Sequence, residues 1–176
     1  MIAPFIDHSV KTDETGRRLC SHGLSPAGYD ISLTAIYEVD SNRILNPKDK
    51  GESGDLNKLP SHKNTSGDYV VLNPGRHFLG ESLEYFTIPR NISGTLLIKS
   101  TYGRLGLILI ESVIDPGFNG NLTVSIFNGA SCPVMVYLNE GFAQFVCHDT
   151  GECEVDYAEK GGAFQCTTSA TQKAKS

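Results

Sequence analysis

The chain has 176 residues and a formal net charge of −5, enough length for one domain that buries roughly 70% of its unfolded surface. The acidic balance argues against a nucleic-acid partner, because phosphate backbones are gripped by dense Lys/Arg patches. A small phosphorylated ligand needs only a few well-placed donors and stays open.

No apolar stretch reaches transmembrane length. The opening MIAPFIDHSVKTDETGRR lacks the basic and apolar regions of an export signal. A cytoplasmic protein with no membrane partner is therefore expected (host cytoplasm, if the source is viral). The only helix candidate is a brief turn near Asp13. YDISLTAIYEV then opens a series of short apolar or alternating runs. After it comes NPKDKGESGDLNKLPSHKNTSGD, about 46–68, with little to bury, which predicts an exposed loop or ragged hairpin inserted into the domain. The runs resume as YVVLNPG, HFLGESLEYFTI, GTLLIKS, LGLILIESVI, NLTVSIFN, PVMVYL and FAQFVCH, divided by Gly/Pro turn signals. That pattern predicts an all-β sandwich, jelly roll or barrel. Within NLTVSIFN, strand alternation sets Leu122, Val124 and Ile126 on one face and Thr123, Ser125 and Phe127 on the other. The last piece, 159–176, is small and polar; it predicts a flexible tail, or a lid hinged at its paired glycines and carrying Phe164.

The five cysteines are scattered and odd in number, so free thiols are expected. CHDTGEC lacks a second ligand pair at finger or ribbon spacing, and no metal site is read from it. Asn64, Asn91 and Asn121 stand in glycosylation sequons, which are chance matches in a cytoplasmic chain.

Two segments carry the strongest chemical signals. In KSTYGR, Lys99, Ser100 and Arg104 join cations and a hydroxyl to a glycine, the donor mixture that phosphate recognition requires; a solvated turn reads equally well from spacing alone. In VIDPGFNG, Asp115 opens a Pro-Gly turn of type II, which holds a carboxylate stiffly at a strand end. Such a carboxylate can position water, although Asp-Pro-Gly is also simply a good turn sequence.

PAGYDI, KSTYGRLGL, VIDPGFNG, EGFAQF and GGAFQ occur in that order along almost the whole chain. Together they resemble the dUTPase / dCTP deaminase superfamily, and the central block is particularly similar to the deaminase branch. The resemblance implies a distorted β jelly roll over 1–158, assembled as a homotrimer with sites shared between subunits. It also implies dUTP or dCTP as substrate, with Mg2+ carried on the triphosphate and no direct protein ligand. Lys99, Ser100 and Arg104 would contact the triphosphate, Gln144 a phosphate or the sugar, and Ser125 would also belong to the substrate-binding set, with Ser100 and Arg104 also counted among the catalytic residues. Asp115 would position water or grip the sugar hydroxyl, Phe118 would lie under the deoxyribose, and Phe164 would cover the base. The match at the tail lacks the usual arginine before the glycines, where Lys160 stands.

The resemblance breaks at one position. Deaminases of this family carry a glutamate where this chain has Ser125, and that glutamate is associated with removal of the cytosine amino group. A serine hydroxyl titrates too high to replace it, and losing a positioned acid/base costs about 10²–10⁴-fold. LILIESV is also shorter than the matching deaminase segment and lacks its base-contacting residues; Glu111 is the one nearby acid that could substitute. The leading expectation is therefore a deoxynucleoside triphosphate pyrophosphatase, splitting dUTP, dCTP or both into monophosphate and diphosphate. The alternative is a dCTP deaminase, forming dUTP or, if bifunctional, dUMP. A non-catalytic nucleotide-binding trimer comes third.

Overall fold

A computed structural model describes residues 1–40, 45–46, 48, 55–110 and 112–169. The chain begins with β1 (Ile2–Ala3), β2 (Ser9–Thr12) and β3 (Arg18–Ser25), followed by the long β4 (Gly28–Asp40). β2 and β3 form a hairpin, so the helix expected near Asp13 is not there. Asp13 instead closes the hairpin turn, its Oδ1 accepting the backbone N–H groups of Thr15 (2.9 Å) and Arg17 (3.0 Å). An Asp that bonds its own following backbone competes with a helix, and here the turn wins.

In the region expected to be an insertion, β5 (Asp55–Lys58) and β6 (His62–Asn64) are strands. They pair with β4 and with β7 (Gly67–Leu72) respectively. β8 (His77–Thr87) and β9 (Ile92–Ile98) follow, then a single turn of helix, α1 (Ser100–Gly103). β10 (Leu107–Ile110), β11 (Val113–Ile114), β12 (Asn119–Asn128), β13 (Val134–Tyr137) and β14 (Gly141–Asp149) complete the fold.

β4 organises these strands. Its N-terminal half pairs with β14 and its C-terminal half with β8, with an irregularity between Leu33 and Ala35 where it passes from one sheet to the other. The main path runs β10-β12-β8-β4-β14-β9-β11, a curled antiparallel sheet, and β13-β7-β6 forms a small second one. This is an all-β distorted jelly roll.

Inward residues of both halves meet in a single core. Phe86 of β8 and Phe145 of β14 join the halves, their ring centroids 4.9 Å apart. Gly94 makes room for that contact, since a Cβ there would lie 2.0 Å from the Phe145 ring. The alternation expected of β12 is observed: Leu122, Val124 and Ile126 are buried, and Thr123, Ser125 and Phe127 face outward. Alternation alone places His77, Leu79 and Glu81 on the same outer face of β8.

Candidate active site

The Asp115 turn forms because Pro116 presets its own φ and Gly117 takes φ +81°, as a type II turn demands. The Phe118 N–H donates to the Asp115 carbonyl at 3.1 Å; the Gly117 N–H donates to the Ile88 carbonyl and the Ile88 N–H to the Phe118 carbonyl, which ties the turn to the β8–β9 connection. Asp115 thus projects from a stiff, exposed corner between β11 and β12.

A groove of about 360 Å³ runs from this corner along the outer face of β12 and β8, lined by Asp115, Phe118, Thr123, Leu79 and Phe164. Phe118 is only 8% exposed and packs edge-on against Tyr157, with centroids 5.8 Å apart.

Phe164 reaches the groove because the segment after β14 folds back onto the same chain. Arg90 anchors it: Nη1 donates to Glu159 (2.8 Å) and Asp156 (3.2 Å), and Nη2 donates to the carbonyls of Cys153 and Glu154 (3.0 Å each). Farther along, the Gln165 amide bridges the turn, accepting from Asn119 N–H at 3.0 Å and donating to the Gly117 carbonyl at 2.9 Å. Thr167 then bonds Asn121. Phe164 is left half exposed at the groove wall. Of the tail expected over 159–176, residues 170–176 lie outside the described residues.

The second motif lies elsewhere. Tyr102, buried, holds α1 in place: its hydroxyl accepts the Tyr137 N–H at 3.1 Å, and burial raises its pKa above the usual tyrosine range. Ser100 and Arg104 are exposed at the two ends of that turn. Lys99 points inward instead, donating to the buried Asp30 carboxylate and to Ser21 Oγ at 3.1 Å. A lysine so paired serves first as a structural tie. Gln144 pairs in register with Asp30 across β14 and β4, and its Nε2 donates to Ser25 Oγ at 2.6 Å. The groove holding Asp115 does not include Lys99, Ser100, Arg104 or Gln144. One chain therefore carries two groups of expected site residues, and they do not line one groove.

Ser125 lies just beyond the groove, opposite Leu79 on β8 and Ile110 on β10. Its hydroxyl is hydrogen-bonded to His77 Nε2 at 2.7 Å. Burial holds the His77 pKa below the ordinary 6.5. The expectation on Glu111 falls outside the described residues.

The sequence reading missed His77 and Arg90. Only knowledge of strand pairing brings His77 to Ser125, 48 residues away. Among the described residues, no three His, Cys, Asp or Glu gather as a metal-ligand set.

A family model described as dCTP deaminase-like matches residues 4–150. The dCTP deaminase of Chlamydia caviae is 38% identical over 170 residues, covering 94% of this chain and 86% of the relative. That of Burkholderia cenocepacia is 35% identical over 169 residues, with 94% and 86% covered. Among solved structures, the 2′-deoxycytidine 5′-triphosphate deaminase of Agrobacterium tumefaciens gives a TM-score of 0.54 at 18% identity, over 81% of this chain and 43% of that one. A variant dUTPase of Staphylococcus bacteriophage 80alpha, solved with dUpNHpp, gives 0.50 at 16% identity, over 88% of this chain and 86% of that one. The structural likenesses show the fold.

Proposed function

The chain belongs to the dCTP deaminase-like family, and from that premise we propose that it acts on dCTP as a deaminase, releasing dUTP and ammonia. The observation that carries this reading is the match of 94% of the chain to relatives named dCTP deaminase, at 35% and 38% identity. The hydrolytic reading preferred from sequence finds less support among these relatives. One observation still favours it: Ser125, where the resemblance calls for a glutamate.

In this reading Asp115 accepts a hydrogen bond from the sugar hydroxyl, and Phe118 forms the floor beneath the deoxyribose. A ring that lies flat there leaves no space for a 2′-hydroxyl and favours deoxynucleotides. Phe164 covers the base from the docked tail. Ser100 and Arg104 hold phosphate oxygens, Gln144 assists, and Lys99 fixes their approach through Asp30.

These two groups would meet across an interface between copies, which is the reason to propose a homotrimer with shared sites. The apolar outer face supports such an assembly, with Ile108 and Ile110 each 52% exposed and Val113 67% exposed. Mg2+ would arrive on the triphosphate, neutralising its charge, and no protein ligand is assigned to it.

Purified protein incubated with Mg2+ and dCTP, then with dUTP, and resolved by ion exchange, tests the assignment. We expect dUTP and ammonia from dCTP. Appearance of dCMP from dCTP, or dUMP from dUTP, would install hydrolysis instead, and dUMP from dCTP would indicate both steps. No turnover of either nucleotide would point to a non-catalytic trimer.

A further inference from the structure

Ser125 alone cannot move the protons of a deamination, but it is not alone. We propose that His77, acting through Ser125, supplies the proton exchange that the missing carboxyl would otherwise provide, an inference that rests on the deaminase reading above.

The geometry is direct. Ser125 Oγ and His77 Nε2 are 2.7 Å apart, on the outer face of two paired strands. Leu79 and Ile110 flank Ser125 across the sheet, and Phe127 stands opposite His77. A hydrogen-bonded Ser–His pair beside a groove, its imidazole perturbed by burial, is the kind of couple that functional sites use. The groove ends beside it, since Leu79 and Thr123, both lining residues, are the immediate neighbours of Ser125 across and along the strands.

An imidazole whose burial keeps it neutral at pH 7 can take a proton that serine cannot. Among the described residues, the titratable groups that strand register places on its face are Tyr37 of β4, Lys58 of β5 and Glu81 of β8. β12 and β10 present Phe127, Ile108 and Ile110 there. The Arg76–Glu38 pair, at 3.3 Å, lies on the opposite face.

The chemistry balances without any further reactant. Water bonds to C4 of cytosine, and the proton it releases passes over Ser125 Oγ to His77 Nε2 and back to N3. The proton of the new C4 hydroxyl then travels the same route to the amino nitrogen. The C4–N bond breaks, ammonia leaves and the carbonyl of uracil remains. Ser125 is the group that meets the reacting atoms, and His77 is its positioning and proton-holding partner.

The test compares wild type with His77→Gln, Ser125→Ala and the double variant. It measures ammonia formation from dCTP across pH 5–9, dCTP affinity, and thermal unfolding as a check on the fold. We expect each single variant to lose about 10²-fold or more in kcat with KM within about threefold. The double variant should be no worse than either single one. The acid limb of the wild-type kcat profile, which falls as His77 protonates, should vanish in His77→Gln.

If wild type releases ammonia while His77→Gln or Ser125→Ala stays within threefold and keeps the acid limb, the relay is wrong and the deaminase reading stands. A wild type that yields no ammonia removes both. Should His77→Gln fail to fold, Ser125→Ala and the wild-type pH profile decide the matter between them.

Discussion

At the Asp115 corner the backbone, through the Phe118 N–H, closes the turn, so the carboxylate can serve a ligand. Asp115→Asn should therefore keep the fold and lose only a charge-assisted hydrogen bond, which contributes about 1.5–3 kcal/mol. We expect kcat/KM to fall about 10- to 100-fold with Tm unchanged; a comparable loss of Tm would mean that the side chain holds the turn. Glu84 is a different kind of carboxylate. It is 2% exposed, accepts the Ser32 N–H with both oxygens (3.2 and 3.0 Å), and burial lifts its pKa from 4.5 to about 7. The folded state thus favours the protonated form. That stability is complete below about pH 4.5 and is lost as pH rises through about 7. The shift corresponds to a few kcal/mol, on the order of 3. Glu84→Gln should accordingly be more stable than wild type at pH 8 and close to it at pH 4.5. Urea unfolding at both pH values measures this, and equal pH dependence in the two proteins would contradict it.

Among the elements, the docked C-terminal segment depends on Arg90, which gathers four acceptors from Cys153, Glu154, Asp156 and Glu159. Arg90 is about one-third exposed, so its ion pairs contribute little to global stability. They decide instead where the segment lies. Arg90→Ala should leave Tm nearly unchanged, expose residues 153–167 to limited proteolysis and raise KM as Phe164 leaves the groove. Unaltered proteolysis would assign the docking to Gln165 and Thr167 instead. The strands themselves were legible in the sequence wherever alternation was strict, as in β8 and β12. The Asp115 turn was legible because Pro-Gly permits little else. The N-terminal hairpin was not, since the polar run around Asp13 has no apolar period to distinguish turn from helix. α1 was hidden in KSTYGR because a single helical turn buries one residue, Tyr102. The Ser125–His77 couple could not be seen at all without the register that pairs β12 with β8. Site residue types were visible locally; their grouping is a property of the sheet.

At the scale of the molecule, the separation of Asp115 and Phe164 from Ser100, Arg104 and Gln144 is what the proposed assembly would bridge. If sites are shared, two inactive variants can complement each other. Asp115→Asn and Arg104→Ala, each impaired by about tenfold or more alone, should recover to about a quarter of wild-type activity after equal mixing and subunit exchange, the fraction of intact sites under random association. No recovery, with exchange verified by sedimentation of a tagged copy, would confine the site to one chain. On the proposed reading, this pocket removes nitrogen from cytosine and leaves the phosphates intact. Ammonium released per dCTP consumed, with the phosphates followed by 31P NMR in the same tube, tests it most directly. One ammonium per dCTP with all three phosphorus signals retained is expected; diphosphate appearing with dCMP and no ammonium would rule deamination out.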